Sequence, residues 1–361
     1  MARTDTLGHF LTDVADAIRE KKGSVDAIAA EDFDAEIENL PSGGGKYAPR
    51  AISFYGYTGS ELDYELENLD MSNLTSLANF FNNARSITSF DSNDYDFDTS
   101  NVTYIGNMFY YCQNITTVDL RAMDLSNVTN TTQMFYYCSR LTSFNLPTNF
   151  MSALTAGTKV PIANMFQNCT SLTSLDLSFL RSDLLYDARN VWASCSNLET
   201  LILPQQYDIS NSDYYTLTSM FYGMTKLANV DLSRIIVYNP NSSNGDRMRP
   251  NFNTMFFNCS SMTRIDMSGL HFKVEPVICE SFYNTFSGCT NLEFLDLRIF
   301  DLPNSAQNQM QGMFGSSNTT YVPADCEIIV RDDAGKTWMN TNHPRFINVK
   351  TVAEYEAEQS A

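Results

Sequence analysis

Residues 108–120 read MFYYCQNITTVDL, and this stretch decides the fold because the chain repeats it. The same order of residue types returns at 134–146 as MFYYCSRLTSFNL and at 165–177 as MFQNCTSLTSLDL. The shared phrase begins with a Met-Phe pair and a cysteine three residues after the phenylalanine. It continues with three apolar residues, the apolar triplet, and an acidic or amide residue lies between the second and the third of them. A unit of this length cannot bury a core alone, so neighbouring units must stack on one another.

The aromatic residue of the phrase marks nine units, with consecutive markers 26 to 35 residues apart. The markers are Phe81, Phe109, Phe135, Phe166, Trp192, Phe221, Phe256, Phe286 and Phe314. The triplet is typical of a short strand, and stacked parallel strands lie about 4.8 Å apart. We therefore predict a right-handed α/β solenoid in which each unit supplies a strand, a turn and a helical or 3₁₀ segment. The triplet and the Met-Phe pair are expected to meet in the core from opposite sides.

The composition limits the classes of partner. The chain has 361 residues, is 43% hydrophobic and carries a net charge of −19, so it can bury a large core. The negative charge argues against nucleic acid and anionic membrane surfaces as partners. No run of eighteen apolar residues occurs, and the N-terminus lacks an apolar segment. We therefore expect neither membrane insertion nor a classical signal peptide.

Six of the eight cysteines occupy one position of the repeat, three residues after the aromatic marker. They are Cys112, Cys138, Cys169, Cys195, Cys259 and Cys289. Neighbouring units could bring them within disulfide distance. However, the chain contains no C-x-x-C pair of the kind that metal sites use. The pattern favours a column of small buried thiols over disulfides or a metal site.

The chain divides into three parts. Residues 1–45 contain an amphipathic helical pattern and end in the linker PSGGG at 41–45. This segment is either a cap on the first unit or a separate docking or oligomerising element, and the glycine linker favours docking. Residues 46–325 form the repeat domain. Residues 326–361 are expected to form a C-terminal cap that begins with a strand at 326–330.

The repeats resemble a known family. Residues 97–103 read FDTSNVT and residues 124–129 read DLSNVT, and together with the phrase at 108–120 they resemble BspA-type leucine-rich repeats. The resemblance implies a leucine-rich-repeat-like solenoid over 46–325. Members of this family that carry secretion signals resemble bacterial surface adhesins and binding proteins.

A second resemblance involves the leader. Residues 11–23 read LTDVADAIREKKG and are similar to the short helical leader of tail and fibre proteins from phages and prophages of Gram-positive hosts. This resemblance implies a virion component whose N-terminal segment contacts other virion proteins and possibly forms homo-oligomers.

An acidic ladder is predicted at the strand position between the last two apolar residues of each triplet. Its members are Asp91, Asp119, Asp176, Asp231, Asp266 and Asp296, with Asn145 and Ile202 at the two other positions. Carboxylates about 5 Å apart repel by roughly 0.8 kcal/mol in water and about 3 kcal/mol at an effective dielectric of 20. Hydrogen bonds from hydroxyls and backbone amides could offset this repulsion, or a bound calcium ion could. The first explanation is favoured.

The expanded loops between units supply the candidate ligand-binding residues, because loops carry variation and tyrosine and arginine are common in binding surfaces. These candidates are Tyr207, Tyr214, Tyr215, Tyr238, Arg247, Arg249, His271 and Phe272. The expected ligand is a host cell-surface protein or glycan.

Signals of catalysis are weak. The chain has only three histidines and neither an H-E-x-x-H nor a G-x-S-x-G motif, so no catalytic residue, cofactor or metal is predicted. The favoured hypothesis is a non-catalytic phage or prophage tail-fibre protein that binds a receptor. The alternative is a BspA-like adhesin of the bacterial cell surface. A less favoured hypothesis is a glycan-active enzyme that uses two carboxylates such as Asp231 and Asp266.

Overall fold

A computed structural model describes a large part of the repeat region and the whole C-terminal segment. The described residues are 54–57, 66, 74–95, 97–187, 189–208, 217–237, 250–272, 275–305, 310, 312–315 and 321–361. The prediction of a helical segment at 1–45 therefore lies outside the described residues. No helix within them is both long enough and apolar enough to cross a bilayer.

Short parallel strands pair with their neighbours in chain order. Val118 lies opposite Phe90 on one side and Phe144 on the other, so the apolar triplets of successive units stand in register. The sheets are β1-β2-β3, β4-β5, β6-β7 and β8-β9-β10-β11. The strands are β1 (Ser89–Asp91), β2 (Thr117–Asp119), β3 (Ser143–Asn145), β4 (Ser174–Asp176), β5 (Thr200–Ile202), β6 (Tyr207–Asp208), β7 (Ile235–Ile236), β8 (Arg264–Asp266), β9 (Phe294–Asp296), β10 (Glu327–Val330) and β11 (Val349–Thr351).

The segment around each Met-Phe pair consists of two successive turns, and the predicted helical or 3₁₀ segment occurs in only some of the described units, as 3₁₀ turns after the triplet. Asn107 and Tyr111 have φ values of 58° and 59°, and a left-handed residue at every fourth position interrupts an α-helix. Such a conformation costs an L-residue about 1–2 kcal/mol. Within the turns, the Met108 N–H donates to the Ile105 carbonyl at 3.2 Å, and the Cys112 N–H donates to the Phe109 carbonyl at 3.1 Å. The described units are therefore built from strands and turns, with four 3₁₀ segments at Ser92–Asp94, Ser182–Leu184, Leu232–Arg234 and Met267–Gly269.

The turns form a second hydrogen-bonded ladder between units. The Phe109 N–H donates to the Met134 carbonyl at 2.9 Å, and the Phe135 N–H donates to the Met165 carbonyl at 2.9 Å. Corresponding bonds join later units, such as Phe221 to Met255 at 2.8 Å. The turn side thus joins successive units, and within each sheet the strand side joins them as well.

The aromatic markers stack into a column inside the core. The rings of Phe109 and Phe135 lie 5.5 Å apart and 5° from parallel, and the next ring, Phe166, lies 5.4 Å from Phe135. All three side chains are fully buried. The expectation that the Met-Phe pair faces the core is therefore confirmed.

The structure adds one unit that the sequence analysis missed. The Phe54 N–H donates to the Phe80 carbonyl, and the Gly56 N–H donates to the Asn82 carbonyl at 2.8 Å. These bonds place Phe54 in the column before Phe81, and the two rings lie 5.9 Å apart. Gly56 takes the left-handed position with φ of 65°.

The cysteine column is a set of free thiols, each bonded to the preceding unit. All eight cysteines are buried and unpaired to one another. The Cys138 thiol donates to the Phe109 carbonyl at 3.0 Å, and the Cys169 thiol donates to the Phe135 carbonyl at 3.1 Å. Cys112, Cys195, Cys259 and Cys289 make the same contact with the marker carbonyl of the unit before them.

The C-terminal segment continues the last sheet and adds two helices. Strand β10 pairs with β9 and with β11. The helices are α1 (Asp333–Asn342), which Asp332 caps, and α2 (Val352–Gln359), which begins with a capping box between Thr351 and Glu354. Trp338, Phe346 and Val349 are buried beside the final aromatic marker, whose ring lies 4.5 Å from Phe346.

Candidate functional site

All six carboxylates of the acidic ladder make the same local hydrogen bond. The Asp119 carboxylate accepts the N–H of Arg121 at 3.0 Å, and the Asp296 carboxylate accepts the N–H of Arg298 at 3.0 Å. Asp91, Asp176, Asp231 and Asp266 accept the N–H two residues later in the same way. Each carboxylate thus fixes the turn that follows it, which is a common use of aspartate. Five of the six end a strand, and Asp231 caps the segment Leu232–Arg234.

Cationic and amide side chains offset the repulsion along the ladder. The Arg121 guanidinium lies 2.6 Å from Asp119, and the Asn145 amide donates to the same carboxylate from the next unit at 3.0 Å. The hydrogen bond from Arg121 is the main reason that the pKa of Asp119 is lowered. The ladder is therefore satisfied by groups of the protein itself.

Asp296 differs from the other ladder residues because it is buried. Only 1% of its side chain is exposed, and Arg298 lies 2.7 Å away. Burial raises the pKa of Asp296 against the lowering effect of Arg298. Its carboxylate is therefore shielded from ligands and is bound by Arg298 of its own unit.

The ladder carries no metal centre in the part of the chain that the structure describes, where no group of three or more histidine, cysteine or acidic residues is arranged to hold an ion. The carboxylates of Asp231 and Asp266 also contact their own turns and nearby arginines, Arg234 at 3.0 Å and Arg264 at 3.2 Å. The hydroxyl of Ser233 is the first cause of a lowered pKa at Asp231. A lowered pKa is the opposite of what a general acid requires.

The predicted ligand-binding residues separate into three groups. Tyr207 is fully buried, and its ring lies 5.5 Å from that of Trp192, so the expectation that it lies on an exposed loop is wrong. Strand β6 places this large ring in the core. Burying its apolar surface there stabilises the fold more than exposing it to solvent would. Tyr214, Tyr215, Tyr238, Arg247 and Arg249 lie outside the described residues.

His271 and Phe272 lie at the edge of the core. His271 is exposed, and its Nε2 atom lies 2.8 Å from the Ser233 carbonyl oxygen. Phe272 is partly buried against Phe252 and Phe300, at ring distances of 6.3 and 6.5 Å. Their binding role stays a prediction.

A feature that the sequence analysis missed is an array of four tyrosines on the turn side of two neighbouring units. Tyr110 stacks on Tyr136 at 5.0 Å and 11°, and Tyr111 stacks on Tyr137 at 4.7 Å and 14°. Within each unit the two rings lie 4.8 and 5.1 Å apart. We call these four residues the tyrosine array. The repeated Tyr-Tyr pair directly after the Met-Phe pair was the signal in the sequence.

Two families match separate parts of the chain. Residues 52–155 match a family described as a Mycoplasma protein of unknown function, DUF285. Residues 154–241 match the BspA type leucine-rich repeat region, in six copies. No curated protein matches the chain.

Among solved structures, the chain is similar to a leucine rich cell surface protein from Faecalibacterium prausnitzii. The identity is 14%, the match covers 86% of this chain and 90% of that chain, and the TM-score is 0.30. A likeness at this level carries no argument about function. The match at residues 154–241 supports the predicted repeat type for that part of the chain.

Proposed function

We propose that this chain is a non-catalytic recognition protein of the cell surface, built as one leucine-rich-repeat solenoid whose outer surface binds a partner. The observation that carries the proposal is the BspA type repeat match at residues 154–241. The packing supports it, since backbone hydrogen bonds join described units along the turn side and, within each sheet, along the strand side. Stacked units offer a long surface rather than a single pocket, which suits recognition of a large partner.

The chemistry of the acidic residues supports a role without catalysis. Glycosidic bond cleavage needs one carboxylic acid whose pKa is raised and a second carboxylate facing it. Asp231 has a lowered pKa, and the one ladder residue with a raised pKa, Asp296, is buried beside Arg298. The ladder thus offers no pair of unlike carboxylates at an open surface.

A virion role in a tail fibre or receptor-binding assembly is the second candidate. The sequence of residues 11–23 favours it. This role would use the same repeat surface toward a host, with the N-terminal segment facing other virion proteins.

The location of the chain tests the proposal. Intact producing cells would be labelled with an antibody against residues 54–361 and treated with protease before lysis, and phage particles from an induced culture would be examined in parallel. We expect surface labelling and loss of the chain on protease treatment. Chain found only inside intact cells would contradict the proposal, and chain found in purified particles would favour the virion role.

A further inference from the structure

We infer that the tyrosine array is a binding site for neutral carbohydrate. The inference rests on the proposed recognition function and names the ligand class for one surface of the repeat. It is carried by three properties of the array: its backbone conformation, its exposed groups and the charge around it.

The backbone conformation is unfavourable for tyrosine. Tyr111 and Tyr137 have φ values of 59° and 60°, a left-handed conformation that bulky residues rarely adopt. At the same repeat position the neighbouring units carry Asn83 and Asn168, and later units carry residues such as Gly223 and Gly288. Two consecutive units therefore place tyrosine where asparagine or glycine would be less strained. The left-handed conformation recurs at this position in neighbouring units, including Asn83, Asn168 and Ser194, so the two tyrosine units differ from the others in the side chain that they carry there.

The turn itself does not require a tyrosine ring, because the same repeat position holds Asn83, Asn168 or Gly288 in other units. At Gly288, an added Cβ would lie 2.2 Å from the Asn258 side chain, so that turn has no room for a ring. At Tyr111 and Tyr137 the ring turns outward and stacks on its counterpart in the adjacent unit. The core of the two units is already filled by Phe109 and Phe135.

The array keeps groups available for a ligand. All four rings are partly buried, so each retains some surface toward solvent. No other described residue hydrogen-bonds the four phenol hydroxyls. Tyrosine supplies a rigid apolar ring and a polar hydroxyl at small entropic cost on binding. A sugar presents the complementary groups, since its C–H faces are apolar and its hydroxyls donate and accept.

The segments that carry the array are uncharged, which favours a neutral ligand, and the charged side chain bonded at its flank is Arg85, which donates to the Asn83 side chain at 3.0 Å. Residues 99–118, 125–139 and 160–175 contain no charged side chain, although the chain has a net charge of −19. At the repeat positions of the array, the flanking units present amides, Asn82 and Asn83 on one side and Gln167 and Asn168 on the other. Amides and phenols hydrogen-bond sugar hydroxyls. A cationic ligand would instead be expected where carboxylates adjoin the rings.

The test uses a double variant, Tyr111→Asn with Tyr137→Asn, in the full chain. It copies the neighbouring units and relieves the left-handed strain. The probes are soluble neutral polysaccharides, namely laminarin, barley β-glucan, dextran and yeast mannan, in affinity gel electrophoresis. We expect at least one of them to retard the wild-type chain and the double variant to bind that polysaccharide at least tenfold more weakly.

Two controls separate binding from folding. Tyr222→Gln removes a stacked ring at the same position as Tyr110, but in a unit whose next residue is Gly223, and we expect unchanged binding. Thermal unfolding of the double variant should occur at or above the wild-type temperature, because asparagine tolerates the left-handed conformation. A second double variant, Tyr110→Gln with Tyr136→Gln, should lose binding as well.

The opposite results would overturn the inference. One such result is that none of the four polysaccharides retards the chain. Another is that both double variants bind as well as the wild type. A third is that the tyrosines bind pentalysine and not polysaccharide. Surface location of the chain without polysaccharide binding would leave the proposed function standing and remove only this site. Polysaccharide binding by a chain that never reaches the cell surface would support this site and contradict the proposed surface function.

Discussion

The turn side of the repeat is joined more continuously than the strand side. On the strand side, pairing in the described residues is divided among four sheets, and the first ends at β3. On the turn side, the bonds cross that break, with the Phe135 N–H donating to the Met165 carbonyl at 2.9 Å and the Tyr137 N–H donating to the Gln167 carbonyl at 2.9 Å. The insertion at 146–161 therefore separates neighbouring strands without separating the units.

The difference indicates where a repeat of this kind tolerates change. Strands of two to four residues form few hydrogen bonds to the neighbouring strand. An insertion beside a strand therefore removes little stabilisation. The turns combine backbone bonds, the thiol contact and the aromatic column in one place, so they hold the spacing of the units.

The largest effect is expected from breaking the aromatic column. Phe135→Ala should lower the free energy of unfolding by about 3–5 kcal/mol, because it empties a fully buried site. Phe144→Ala is the matched change in the same unit, on strand β3, where the ring is only partly buried. It should cost about 1.5–3 kcal/mol. Urea unfolding of both variants measures the difference, and equal costs would mean that the turn side is not dominant.

A smaller effect is expected from single side-chain bonds between units. Cys138→Ala removes the buried thiol contact to the Phe109 carbonyl at 3.0 Å and should cost about 0.5–1.5 kcal/mol. Thr142→Ala removes an exposed strand-side bond to the Thr116 carbonyl at 2.9 Å. It should cost less than about 0.5 kcal/mol. A larger loss for Thr142→Ala in urea unfolding would reverse the ranking of the two sides.

The strand-side carboxylates are expected to respond to pH. Asp231 caps the segment Leu232–Arg234 and has a lowered pKa, so its contribution is present above a pH of about 4 and is lost as the pH falls through its folded pKa. Asp231→Ala should cost about 1 kcal/mol at neutral pH. The same comparison at a pH below the folded pKa of Asp231 should show a much smaller difference. A difference that is independent of pH would argue against an ionised cap.

The smallest effect is expected from calcium. Because the ladder carboxylates already accept backbone N–H groups and contact arginines, millimolar calcium should leave the melting temperature unchanged. A calcium-dependent rise that disappears in Asp119→Asn would show that the strand side binds a cation after all.

The periodic part of the fold could be predicted from the sequence because apolar spacing decides burial. The stack of short strands and the inward Met-Phe pair follow from residues 108–120 and their copies. The turn conformation could not be predicted in the same way. Residues such as Tyr111 and Gln133 adopt left-handed φ values against their own preference, because hydrogen bonds to the next unit outweigh the local strain.

The candidate sites were harder to predict because they depend on whether each side chain points into the core or toward solvent. Tyr207 fits a loop by its sequence neighbours, yet β6 turns it into the core. Phe54 was missed because its unit lacks the full phrase, although Gly56 two residues later was a signal of the turn. The tyrosine array does not stand out in the sequence because its residues belong to the repeat itself, whereas binding residues are expected in the insertions.

The similar spacing on the two sides of a unit has a mechanical consequence. Rings of the aromatic column lie 5.4 to 5.5 Å apart from Phe81 to Phe166, close to the rise of about 4.8 Å between parallel strands. Each unit therefore lengthens the stack by about 5 Å. A chain that gains or loses one unit would change the length of its recognition surface by that distance without a new fold.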